Sequence, residues 1–354
     1  MTDKIDAAFG MDRRGMLRAG ALGTAAAAIG LAGSARAAGL VPKHPRFRFV
    51  FVNHVTTNPF FTATRYGIAD ACALFGAQSQ WTGSENSIAA QMVSAMNSAI
   101  ASKADAIAVC LVDPHAFNDP VERALQAGIP VFAYNADAPT SSGNKRLAYI
   151  GQDLFKAGQL MGERILTLVP SGRIGLFIAT PGQLNIQPRI DGAEDVLKKS
   201  GRNYQIDIVA TGATVNEEIS KVKAYYLGHQ DVKGMFAVDG GTTEGIAEAM
   251  QQYGLPAKGV HGGGFDLLPQ TLELISKGDL DFTIDQQPYL QGYYTVMEMF
   301  NFLVSGGLVG PADINTGLKF VTKESVGPYL STKTRYEGSS STVQDVKRSG
   351  PIQS

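Results

Sequence analysis

The residues that most often carry catalysis are scarce in this 354-residue sequence, which has two cysteines, five histidines and one tryptophan. There is no CxxC pair. Cys72 falls on an expected helix and Cys110 inside the strand-like run AIAVCLV, where a small buried apolar residue is wanted. Both therefore read as inert core thiols, and sequence alone does not show that their geometry permits a disulfide. His44, His54, His115, His229 and His261 lack HExxH or any close ligand spacing, so no metal site is expected. GxSxG does not occur, and the glycine-rich DGGTTEG and GGGF match neither the dinucleotide nor the phosphate-loop pattern. The expectation is a protein that is not an enzyme and takes no cofactor. A formal net charge of −1 gives no reason to expect nucleic acid or an anionic membrane as partner. No apolar run reaches the roughly 18–20 residues a membrane-spanning helix needs.

What is present is globular: 44% hydrophobic residues, 18% charged residues and forty glycines, with length for two domains. The first residues stand apart. DRRGMLRAGALGTAAAAIGLAGSARAAGL has a basic start, a weakly apolar centre and a small-residue exit at Ala35-Arg36-Ala37. That layout predicts an export signal over 1–37, cleaved after Ala37, and a mature protein in a bacterial periplasm. Arg13-Arg14 before Gly15-Met16-Leu17 resembles the twin-arginine type; an ordinary Sec signal is the alternative.

From Arg46 onward, continuous apolar strands alternate with helices, the pattern of a parallel sheet covered on both faces. RFRFVFVN, AQSQW, DAIAVCLV, IPVFAYN and LAYIG form a first set. RIGLFIA, QIDIVA, KGMFAV, KGVHGGG and DFTID form a second, followed by an apolar helix near Tyr289–Val304 and a last strand, GLKFV. The fold class is α/β, as two successive doubly wound units. The Ser/Lys/Gly-rich segment 331–354 is expected to be a poorly ordered tail.

In open parallel sheets ligands bind beyond the carboxyl ends of the strands. The residues there are Asn58, Phe60, Phe61, Trp81, Asp113, Asn135, Asp137, Asp239, Asp266 and Gln286, with Arg189 at the start of a second-unit helix. Aromatic rings, carboxylates, amides and one guanidinium suit an uncharged, polyhydroxylated ligand. Its C–H face packs on rings, while its hydroxyls donate to Asp and Asn and accept from Arg. Any single strand-end Asp or Asn is equally well a helix cap. His54 and His115 are near enough to border such a pocket.

The landmarks TTNPFF, AGIPVFAYNADAP, AYIGQDLFKAGQLMGE, PRIDGAED, HQDVKGMFAVDGGTTEGIAEAM, GGFD and TIDQQP occur in one order along the chain. In that order, over roughly Phe47 to Val321, the chain resembles the ribose-binding-protein-like periplasmic sugar receptors, the substrate-binding subunits of ABC importers. The resemblance implies two Rossmann-like parallel-sheet lobes of the type I periplasmic binding protein, joined by a three-segment hinge near Ile150-Gly151, Gln286-Gln287 and 306–313. The lobes would be 46–150 plus 287–306 and 151–286 plus 312–330. It further implies a monomer that captures a monosaccharide or polyol between the lobes and delivers it to the membrane permease of an ABC importer. Asn58, Phe60, Phe61 and Asn135, with Asp137 close by, would face the ligand from the first lobe. Arg189, Asp239, Asp266 and Gln286 would face it from the second. The chain departs from the ribose pattern: Asn135-Ala136 stand where an Asp-Arg pair is usual, small residues around Gly212-Ala213-Thr214 replace a ring, and Asp239 replaces an amide. These departures argue against ribose itself, and Trp81 is a candidate for the missing ring. The alternative is a receptor for a furanosyl signal or nucleoside feeding a sensor pathway.

TTNPFF poses its own question, because adjacent phenylalanines cannot share one buried helical stripe. The reading is that Asn58 caps a helix, Phe60 heads the apolar stripe through Ala63, Gly67, Ala71 and Leu74, and Phe61 points about 100° away from it. The two rings together form an apolar wall for a sugar face, with Asn58 free to touch a hydroxyl.

Overall fold

The apolar run beginning at Arg46 forms the first strand, and strands and helices then alternate to the end of the fold. The computed structural model describes residues 43–331 apart from 309 and 312; the expected export signal and the tail beyond 331 lie outside the described residues. The order is β1 (Arg48–Asn53), α1 (Phe61–Phe75), β2 (Gln78–Gly83), α2 (Ala89–Ala101), β3 (Ala106–Val109), α3 (Asn118–Gln126), β4 (Val131–Tyr134) and β5 (Tyr149–Gly151). It continues through α4 (Leu154–Leu168), β6 (Gly172–Ile178), α5 (Gln187–Lys199), β7 (Tyr204–Ala210), α6 (Val215–Gly228), β8 (Gly234–Ala237), α7 (Gly240–Gln252), β9 (His261–Phe265), α8 (Pro269–Lys277) and β10 (Phe282–Asp285). Last come α9 (Pro288–Ser305), β11 (Asp313–Asn315), β12 (Lys319–Val321) and α10 (Gly327–Ser331).

The strands build two six-stranded sheets, ordered β11-β5-β4-β3-β1-β2 and β12-β10-β9-β8-β6-β7. All pairings are parallel except β10 with β12. In each sheet the strand order reverses beside the first strand of the lobe, β1 or β6, which opens the crevice where such sheets take ligands. Central strands are buried on both faces, so β3 and β4 are apolar throughout.

Each lobe closes with a helix pair in glycine-mediated contact. A Cβ at Gly67 of α1 would lie 2.1 Å from the Tyr289 carbonyl oxygen, and one at Gly292 of α9 would lie 2.2 Å from that of Thr64. In the second lobe, a Cβ at Gly158 of α4 or at Gly192 of α5 would lie 2.1 Å from the Arg189 or 2.2 Å from the Phe155 backbone oxygen. Any larger residue at these four positions would push the helices apart.

The chain passes between the sheets at 152–153, 286–287 and 316–318. The third passage differs from the expected 306–313. β11, a short polar strand, pairs with β5 in the first sheet, so the switch comes after it rather than before. Its sequence has no apolar alternation to announce a strand. The passages are tied together: Thr316 Oγ1 donates to the Gln286 carbonyl at 2.9 Å, Gln291 Nε2 donates to Gln286 Oε1 at 3.1 Å, and Gln152 Nε2 donates to the Gly317 carbonyl at 3.2 Å. Cys72 and Cys110 are both buried and free.

Candidate functional site

The segment after β1 does not start its helix at Asn58. Asn58 Oδ1 accepts from the Phe60 amide at 3.0 Å in a turn, and α1 begins at Phe61. The two rings exchange the roles expected of them. Phe61, 1% exposed, faces the core with Thr64, Ile68, Ala71 and Cys72, whereas Phe60 is half-buried and Leu74 is 66% exposed. Ala63, Gly67 and Ala71 of the expected stripe are buried, but its ends differ: Phe61 rather than Phe60 heads the buried face, which widens toward Thr64, Ile68 and Cys72 and leaves Leu74 outside. Both rings still reach the cleft. They meet edge to face at 4.7 Å, and Phe61 meets the His54 ring at 5.4 Å and Trp81 at 5.7 Å. Trp81 stands behind Phe61, its Nε1 donating to the Thr56 carbonyl, and does not line the cleft. It does not replace the missing ring.

A cleft lies between the lobes, lined by residues of both. Eight of the nine expected contacts line it: Asn58, Phe60, Phe61, Asn135, Arg189, Asp239, Asp266 and Gln286. Asp137 does not. It lines a separate depression with Tyr149 and Asp313, where Arg146 grips it through Nε and Nη2 and also reaches Asp313. His54, Ser87, Asn185 and Glu218 also line the cleft. Of these only His54 was a candidate from the sequence. Glu218 sits on α6, inside a helix, where no strand-end rule points.

The second lobe supplies the charge. Arg189 is 2% exposed; Nη1 donates to the Val238 carbonyl at 2.8 Å and Nη2 to Gln152 Oε1 at 3.0 Å, and the guanidinium lies 4.1 Å from the centre of the Phe265 ring. Its Nε has no partner. Burial pulls the guanidinium pKa down, and Asp266 and Asp239 oppose that. Asp239 caps α7: Oδ1 accepts from the Thr242 amide at 2.9 Å and Oδ2 from the Ala179 amide at 3.1 Å. Asp266 accepts from Gln286 Nε2 at 2.6 Å. Burial lifts the Asp266 pKa to about 6 even with Arg189 opposing it. Asp266 and Asn135 both hold left-handed backbone, φ 76° and 63°, as does Gln287 at the second passage, φ 57°. Such conformations cost energy and persist where packing enforces them, commonly at binding sites.

One loop joins the lobes across the cleft mouth. Between β6 and α5, the Leu184 amide donates to the Val112 carbonyl at 2.9 Å, and Gln183 Nε2 donates to the Ser87 carbonyl at 2.8 Å. Asn185 Nδ2 lies 3.1 Å from His54 Nε2. Burial drops the His54 pKa to about 3, so the imidazole stays neutral.

Both the sequence and the fold are matched by known proteins. A profile of the periplasmic binding protein domain matches residues 49–307. The chain is 52% identical over 314 residues to the xylose/arabinose-binding protein XylF of Sulfolobus acidocaldarius, covering 85% of this chain and 77% of that one. A solute-binding protein of an ABC transporter from Burkholderia graminis, solved with D-arabinose, superposes with a TM-score of 0.74 at 25% identity, covering 81% of this chain and 99% of that one. One from Agrobacterium vitis, solved with D-fucose, shares the fold with a TM-score of 0.74 at 24% identity, covering 79% and 97%. With lobes, cleft and matched span in agreement, the chain belongs to the periplasmic binding protein family.

Proposed function

We propose that this chain is the sugar-capturing subunit of an ABC importer, taking an aldopentose of the xylose or arabinose kind into the cleft and presenting it to a membrane permease. The cleft carries the sugar part of the reading: a ring wall from the first lobe faces a guanidinium–carboxylate wall from the second. The identity to a xylose/arabinose-binding protein supports the pentose. Asn58, Phe60, Phe61 and Asn135 hold one side of the sugar; Arg189, Asp239, Asp266 and Gln286 hold the other. Phe60 packs against a C–H face, while Arg189 Nε, which has no protein partner, donates to a hydroxyl oxygen. Contacts from both lobes make closure favourable with sugar present. The chain turns nothing over; it works as an exported monomer whose leader is removed after Ala37. A nucleoside is the weaker reading, since the half-buried Phe60 offers the cleft little stacking surface.

A thermal-shift panel of aldopentoses, hexoses, inositol and nucleosides tests this. Stabilisation by xylose or arabinose beyond every other member is expected. A flat response to all sugars, or selective stabilisation by a nucleoside, would overturn it.

A further inference from the structure

Glu218 is the least expected group in the cleft. It is 2% exposed, projects from α6 toward the start of α7, and its Oε2 is buried without a hydrogen-bond partner among the described residues. Gly241 makes room for it: a Cβ there would lie 1.7 Å from Glu218 Oε2. Among the described residues no cation pairs with it. Arg189 is committed to Val238 and Gln152, and Lys223, further along α6, pairs with Glu248 at 2.8 Å. The groups around it are acidic: Asp239 and Glu244 from α7, and Glu217 on its own helix. Across the cleft His54 is neutral.

Burial raises the Asp239 pKa as well, but an amide hydrogen on each oxygen opposes that rise, and Glu218 has no such donors, so of the two Asp239 is the better placed to keep the charge. Two adjacent carboxylates cannot hydrogen-bond each other unless one carries a proton, and a buried ion without a partner is costly.

Building on the pentose reading, we propose that Glu218 is a specificity-determining sugar contact that works as a neutral carboxylic acid, its proton shared with Asp239. The acid O–H donates to Asp239 and its carbonyl oxygen accepts from a sugar hydroxyl. Burial and Asp239 together push the Glu218 pKa up to about 10. The arrangement explains how the cleft carries the buried Glu218 and Asp266 and the half-buried Asp239 beside one guanidinium and still suits an uncharged ligand.

The test uses wild type, Glu218→Gln and Glu218→Ala. Glutamine keeps a donor for Asp239 and an acceptor for the sugar; alanine keeps neither. By calorimetry, Glu218→Gln should bind xylose or arabinose within about threefold of wild type, and Glu218→Ala at least about tenfold more weakly. Without sugar, a carboxyl whose pKa is raised by folding contributes stability at low pH that is lost as pH rises toward the folded value. Wild type should therefore fall in melting temperature relative to Glu218→Gln between about pH 6 and about pH 9.5. Alanine binding as tightly as wild type would overturn the contact. Parallel melting curves for wild type and Glu218→Gln would overturn the shared proton. A wild-type chain that binds no aldopentose would overturn the ligand class and the contact with it, while the melting curves still decide the proton.

Discussion

The two walls of the cleft are built by different means. The first-lobe wall is neutral: Phe60 and Phe61, the uncharged His54, and the amides Asn58 and Asn135. Its rings are continuous with the lobe's core through Trp81 and Phe51. The second-lobe wall is ionic, with Arg189, Asp239 and Asp266 each held by hydrogen bonds within its own lobe or at the hinge. Packing orients one wall and hydrogen bonds orient the other. Substitutions on the first should therefore separate folding from binding, and substitutions on the second should damage both.

The largest effect belongs to the ionic wall. Arg189→Met should reduce sugar affinity at least about a hundredfold and cost about 3 kcal/mol in urea denaturation. It strands the Val238 carbonyl and leaves Asp266 and Asp239 without their counter-charge. Retained affinity would break the comparison.

On the neutral wall, Phe61→Ala should cost about 3–5 kcal/mol of stability, because it empties a core position. Phe60→Ala should cost about 1 kcal/mol while weakening sugar binding at least about tenfold. Equal losses from the two, by denaturation and calorimetry, would erase the distinction drawn between the rings.

A smaller effect concerns pH. The Asp266 pKa is raised to about 6, so its contribution is complete below the unfolded value of about 3.9 and declines as pH rises through 6. Asp266→Asn should flatten the melting temperature between about pH 4 and about pH 6.5; a profile as steep as wild type would contradict this. Asp285 is raised to about 6 as well, so some slope should persist. Smallest is Asp137→Asn, outside the cleft with Arg146, which should change sugar affinity by less than about twofold in the same titrations.

Much of this was legible in the sequence. Alternating apolar strands and helices announced two parallel sheets, because strands buried on both faces must be apolar throughout. Strand ends then pointed to Asn135, Asp266 and Gln286, since that edge is where such sheets open, and the start of a second-lobe helix pointed to Arg189. Three features were not legible. The start of α1 depends on a turn at Asn58 that adds no hydrophobic signal, so the sequence places Ala63, Gly67 and Ala71 on the buried face but not which of Phe60 and Phe61 heads it. β11 is polar and three residues long, and only its partner β5 defines it. Glu218 lies in the first turns of a surface-like helix, and nothing local distinguishes it from the solvated Glu217 beside it. Its burial depends on Gly241, which comes from another helix.

The most direct measurement is calorimetric titration of xylose and of arabinose into the wild-type chain and into Phe60→Ala. The account predicts one sugar bound per wild-type chain, and binding at least about tenfold weaker to a variant that melts within a few degrees of wild type. No heat from either sugar, or a Phe60→Ala chain that binds as tightly as wild type, would contradict it.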